Sequence, residues 1–321
     1  MTVLSIVACR MLEDELVNLL SADREVRELL LVDGKEVLSL SAKLKAQNRP
    51  HLLLGLEGIA RHLQERQSRP DGIFSRSPGP KSAELVVVVS PLRLGLHSDL
   101  EQLKAAVYDN IRRLATFSDG ILIFYGKCGN SLADLEQDLA DLACPLYFLT
   151  DEGGERIDDC IALALGGNEN YDRALAEHQD VALFMTPMWA SNWKAMGQED
   201  AALGKGRDMR SMLKGTGMTK VARIDTGLCF ETGFMVLVDG FAREFGLRRI
   251  ELPGETDAAK GCYTRAKSRL AAARPESGNA RPDTLVSSFS SKGWLEPILA
   301  ICRMTRIIHD SPCSDVIKIS G

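Results

Sequence analysis

The sequence has no dense stretch of lysine and arginine, and 39 basic against 44 acidic residues leave a net charge of −5. That balance argues against nucleic acid as a partner, because neutralising phosphates needs a concentrated positive surface. No run reaches the ~18 apolar residues of a membrane-spanning helix, so no membrane role is expected. Met1 to Cys9 carries no positive region ahead of its apolar residues and is followed at once by acidic ones, so it reads as a first strand and not a signal peptide. Also missing are a Walker A loop, a G-x-G-x-x-G after the first strand, an H-E-x-x-H and a G-x-S-x-G. Their absence argues against a kinase, a dinucleotide oxidoreductase, a zincin and a serine hydrolase. A cytoplasmic address is expected. There the eight cysteines stay reduced, and conspicuous ones are ligands, nucleophiles or core filler instead of disulfides.

What is present is a chain of 321 residues, 45% hydrophobic, enough to fill one large α/β domain or two ordinary ones. Its centre is the stretch Gly120 to Asn130. Four apolar residues between glycines read as a buried strand, and a Cys128-Gly129-Asn130 turn leads from it into a helical pattern. A cysteine therefore stands at the carboxyl end of a strand, where open α/β sheets gather their ligands.

Further strands are expected at Val3 to Ala8, Glu28 to Asp33, Glu84 to Val89, Pro145 to Leu149, Val181 to Met185, Val221 to Asp225 and Leu247 to Leu252. Helical patterns fall at Met11 to Leu20, Val37 to Gln67 with a break at Pro50, Asp99 to Leu114 with Ser98 as N-cap, Leu132 to Leu142, Asp158 to Leu165, Tyr171 to His178 and Gly233 to Phe245. Thr186 to Trp189 reads as a turn, Asn192 to Gly217 as a polar connection and Ser68 to Ser82 as a loop. Residues 256–321 are expected to be a linker, around Arg274 to Asp283, and a C-terminal helix from Trp294 to Ile308. Alternating strands and helices predict an α/β fold, a mostly parallel sheet with helices on both faces, built of related βα units around a shared cleft.

Cys9, Cys128 and Cys160 share an address, each bordering the start of an expected helix. Backbone N–H groups and the helix dipole there lower a thiol pKa, which favours metal binding or nucleophilic chemistry. Three thiolates suit an iron–sulfur cluster with one open iron or a zinc with one open position. The alternative is that cysteine fills small sites at strand ends. His97 is either a fourth ligand or acid/base, or a helix-start packing residue. Asp159 holds substrate or caps a helix. Gly129 and Asn130 offer free N–H groups for an anion or make an ordinary turn. Trp189 walls a pocket or simply packs.

The ordered set Ala8-Cys9-x-x-Leu12-x-x-Glu15, Leu96-His97, Tyr125-Gly126-x-Cys128-Gly129-Asn130, Asp159-Cys160-Ile161, Tyr171, Pro187-x-Trp189 and Asp225-Thr226-Gly227 resembles the family known as domain of unknown function 1638, across residues 1–255. The chain differs from that pattern in a longer segment at 33–82 and in the region after Gly254. The resemblance implies cytosolic proteins near corrinoid-dependent methyl transfer, without an established activity. It picks out Cys9, Glu15, His97, Cys128, Asp159, Cys160 and Trp189. The resulting expectation is a metal-dependent enzyme or metal carrier. Cys9, Cys128 and Cys160 would be its ligands, and His97, Glu15 and Asp159 its catalytic groups. Gly129, Asn130 and Trp189 would lie against the cofactor, and the partner would be a small-molecule substrate or a corrinoid protein. A lone Cys128 nucleophile with His97 as base, or a non-catalytic corrinoid- or methyltransferase-binding protein, are the alternatives.

Overall fold

The computed structural model describes residues 1–273 except 69–83, 95, 97–98, 203–209, 211–212, 214–216, 229 and 231–232. The expected loop at Ser68 to Ser82 lies almost wholly outside the described residues, as do His97, Ser98, the linker from Arg274 and the helix Trp294 to Ile308.

Six strands form one sheet: β1 (Thr2–Cys9), β2 (Val26–Val32), β3 (Leu52–Leu54), β4 (Leu85–Leu92), β5 (Gly120–Phe124) and β6 (Leu146–Phe148), in the order β3-β2-β4-β1-β5-β6. Every neighbouring pair is parallel. Val86 to Val89 are fully buried, as β-branched residues on a strand covered on both faces should be. The covering helices include α1 (Glu13–Ala22), α2 (Leu38–Ala46), α3 (Leu56–Ser68) and α4 (Leu100–Ala115). In α4 the buried residues Leu103, Val107, Ile111 and Leu114 recur at helical spacing and face the sheet. Asp99, not Ser98, caps this helix, accepting from Gln102 N.

β4 and β5 flank β1 on opposite sides, so the chain changes direction across the sheet between them. This is a topological switch point, and the carboxyl ends of β1 and β5 open at it. A second parallel sheet, β7 (Val181–Met185), β8 (Lys220–Asp225) and β9 (Arg248–Pro253), follows. The strands expected in one sheet are thus divided between two. Around the second sheet lie α8 (Pro187–Ala202) and α9 (Phe234–Phe245); between the sheets in sequence come α5 (Leu135–Asp138), α6 (Cys160–Ala164) and α7 (Asn168–Glu177).

Three expected elements differ. Leu132 to Leu142 yields only the single turn α5, because the carbonyls of Leu132 and Ala133 accept from Arg156 at 3.0 and 2.8 Å instead of from amides of their own helix. Thr186 to Trp189 is not a turn: α8 begins there, with Pro187 at the first helical position, where its missing N–H costs nothing. The helical pattern from Val37 to Gln67 is interrupted by β3, whose Leu52 and Leu53 form an exposed sheet edge. Just past residue 255, α10 (Asp257–Ala272) buries Cys262, Tyr263, Ala266 and Leu270 in the main core. Among the described residues no helix is long and apolar enough to cross a membrane.

Candidate functional site

β1 ends on Cys9, and the pairing of Ala8 with Phe124 sets Cys9 level with Tyr125, the residue after β5. Beyond Tyr125 the chain runs against the segment before α6. Lys127 N donates to Ile157 O and Cys128 N to Asp158 O, both at 2.8 Å. A Cβ on Gly126 would lie 2.7 Å from Asp158 O and from the Asp159 N and Cα atoms, so only glycine permits this approach. Cys128, Gly129 and Asn130 then turn through three successive left-handed residues, with φ of 45°, 65° and 69°. A left-handed backbone is unusual for a buried cysteine and is held by its surroundings. Ser131 Oγ donates to Cys128 O at 3.0 Å, Lys127 Nζ meets Asp158 Oδ1 at 2.8 Å, and Arg156 grips the following loop while lying 4.2 Å over the Phe148 ring.

Asp159 accepts from Ile161 N and Ala162 N at 2.8 and 2.9 Å, which is the capping role of its sequence. That cap fixes Cys160 in the first turn of α6. Gly129 and Asn130 make the turn geometry. Trp189, in the first turn of α8, packs against the cores of both sheets.

These contacts bring Cys9, Cys128 and Cys160 into one neighbourhood, all buried and none in a disulfide. The Tyr125 hydroxyl is held well above the ordinary phenol range by burial, then by the charges of Cys9 and Cys128, with Arg10 opposing and Cys160 adding. The Cys9 thiol is pushed up to about 12. Burial outweighs the Met11 and Leu12 N–H groups, and Glu15 and Asp159 raise it further. This corrects the expectation that a helix start lowers the thiol pKa at Cys9. Glu15 is pushed up to about 7 by burial, partly countered by its own backbone N–H; Asp14 raises it and Lys43 lowers it. Its neighbours Glu13 and Asp14 meet Lys43 Nζ at 2.9 and 2.8 Å, and Lys43 also donates to Met188 Sδ at 3.1 Å, tying α1 and α2 to α8.

Tyr125, Lys43 and Thr186 are the residues of this region that sequence reasoning did not select. Tyr125 alone left a signal, standing at the end of the central strand. Cys144 and Cys262 are buried elsewhere, the latter bonded through sulfur to Thr150. Among the described residues, no group of three or more His, Cys, Asp or Glu side chains is placed so that it could hold a metal ion.

A family model described as protein of unknown function (DUF1638) matches residues 91–263. The chain belongs to the DUF1638 family. Cys128, Asp159, Cys160 and Trp189 fall inside the part matched to DUF1638, whereas Cys9 and Glu15 precede it. The DUF1638 match runs past residue 255 into α10. No curated protein and no solved structure matches the chain.

Proposed function

We propose that the protein is an enzyme acting on a small molecule at an iron–sulfur centre held by Cys9, Cys128 and Cys160. The observation that supports this most is that three buried cysteines, far apart in sequence, are gathered at the end of β5: Cys9 stands level with Tyr125, Cys128 N donates to Asp158 O, and the Asp159 cap fixes Cys160 beside it. Three cysteines match the donor set of a cluster with one open iron. When bound, the cluster would supply an iron to polarise a substrate oxygen. The chain's own groups would do the rest. Glu15, with a pKa of about 7, can give or take a proton near neutrality. Burial by β1, β5 and α6 keeps water from the reacting atoms. A small-molecule substrate, or a corrinoid protein presenting one, is the partner this reading carries; a corrinoid protein would reveal itself by a colour shift on mixing.

A second reading is favoured by the left-handed Cys128, a strained cysteine at a strand end, as a lone nucleophile. One experiment separates the two: iron and acid-labile sulfide in anaerobically purified protein, beside Cys9→Ser, Cys128→Ser and Cys160→Ser, with iodoacetamide labelling. Stoichiometric iron and sulfide lost in every variant, with thiols protected until chelation, is the expected result. No iron after anaerobic reconstitution, with fast labelling of Cys128 alone, selects the nucleophile.

A further inference from the structure

The opening of α8 carries two buried polar groups that have no hydrogen-bond partner among the described residues, the Thr186 hydroxyl and the Trp189 indole Nε1. Thr186, 2% exposed, is the N-cap of this 16-residue helix. Its carbonyl accepts the first intrahelical bond, from Ala190 N at 3.0 Å. Its hydroxyl, however, makes none of the bonds to first-turn amides that a capping threonine ordinarily makes. An indole N–H can only donate, so what Trp189 lacks is an acceptor. Buried donors are almost always paired, and two left open on one helix turn call for a ligand that accepts. The helix dipole gives that ligand a sign, since the N-terminal turn favours negative charge.

The location ties this turn to the thiols. Helix α8 packs against residues 10–12, which follow Cys9 directly, and Met188 in its first turn is anchored by Lys43. On α1, Glu13 and Asp14 share the single cation of Lys43, Arg10 lies 3.8 Å from Glu13, and Glu15 is buried beside them.

We propose that the first turn of α8 binds a carboxylate of the small molecule, Thr186 Oγ1 and Trp189 Nε1 donating to its oxygens. The substrate class is thus a small carboxylic acid. The proposal rests on the preceding reading only for the reacting part of that molecule, because the anion contact itself needs no metal.

The test is a titration of the metal-free full chain, labelled with ¹⁵N at tryptophan, with acetate and separately with inorganic phosphate. Trp189→Phe identifies the indole resonance. The expected result is a saturable downfield shift of the Trp189 indole proton with acetate, weakened at least tenfold in Thr186→Val. Saturation by phosphate alone overturns the carboxylate class. An indole proton that contacts a buried water and answers to neither anion overturns the site, as does an equal response in Thr186→Val. Should that variant fail to fold, thermal stability replaces it: acetate should raise the melting temperature of the wild type and not of Trp189→Phe. Because no metal is present, failure here leaves the iron analysis standing, and failure there leaves this titration readable.

Discussion

Cys9 sits where two effects oppose each other. The amides of Met11 and Leu12 favour its thiolate, and removal from water favours the thiol; the thiol wins. Glu15 is governed by the same desolvation, with a consequence that can be measured. Its folded pKa, about 7, lies above the ordinary 4.5, so the protonated form is the one the fold prefers. The stability it contributes is fully present below the unfolded value and is lost as pH rises through about 7. Glu15→Gln, which stays neutral, should therefore match the wild type near pH 4.5 and exceed it at pH 8 by on the order of 3 kcal/mol. Denaturant unfolding at the two pH values checks this, and a variant less stable at pH 8 would refute it. The address of the thiols was legible from residues alone, because strand, cysteine and helix start follow one another in the chain. Their protonation was not, since the burial that sets it comes from segments distant in sequence.

Among the elements, the junction between the end of β5 and the start of α6 is the tightest in the molecule's site. Gly126 faces the backbone of Asp158 and Asp159 with no room for a methyl group. Gly126→Ala must push that backbone away and with it the amide bonds that hold Cys128. A loss of about 1–3 kcal/mol is expected, as for other overpacked sites. Since Cys128 and Cys160 both depend on the junction, any iron bound as proposed should be lost in step with melting temperature. Periodicity announced β1, β4, β5 and α4 because each is apolar enough to fix its own structure. It overstated α5, where Arg156 takes the carbonyls, and it missed the start of α8, where Thr-Pro read as a turn signal is also how a helix can begin.

At the scale of the molecule, the chain past residue 255 is bound into the main core. Tyr263 and Lys267 of α10 reach Asp23 at 2.8 and 2.6 Å, and five of its side chains, Ala259 among them, are buried beside the first sheet. Truncation after residue 255 removes those five; at about 1.5–3 kcal/mol for each large apolar one, the shortened chain should lose cooperative unfolding. Circular dichroism melts of the shortened and the full chain decide the matter. That α10 belongs to the core was invisible in the sequence, where its Cys262, Tyr263, Ala266 and Leu270 are scattered among lysines and arginines. The position of β1 between β4 and β5 also bears on how the molecule is made. Leu4 pairs with Val87 on one side and with Gly120 on the other, so during synthesis β1 emerges well before either neighbour. Closing two such long parallel connections is slow. Until both are closed, the Cys9 thiol is open to oxidants and to stray metal, so folding in a reducing environment, or with a chaperone covering β1, should decide how much folded protein a cell recovers.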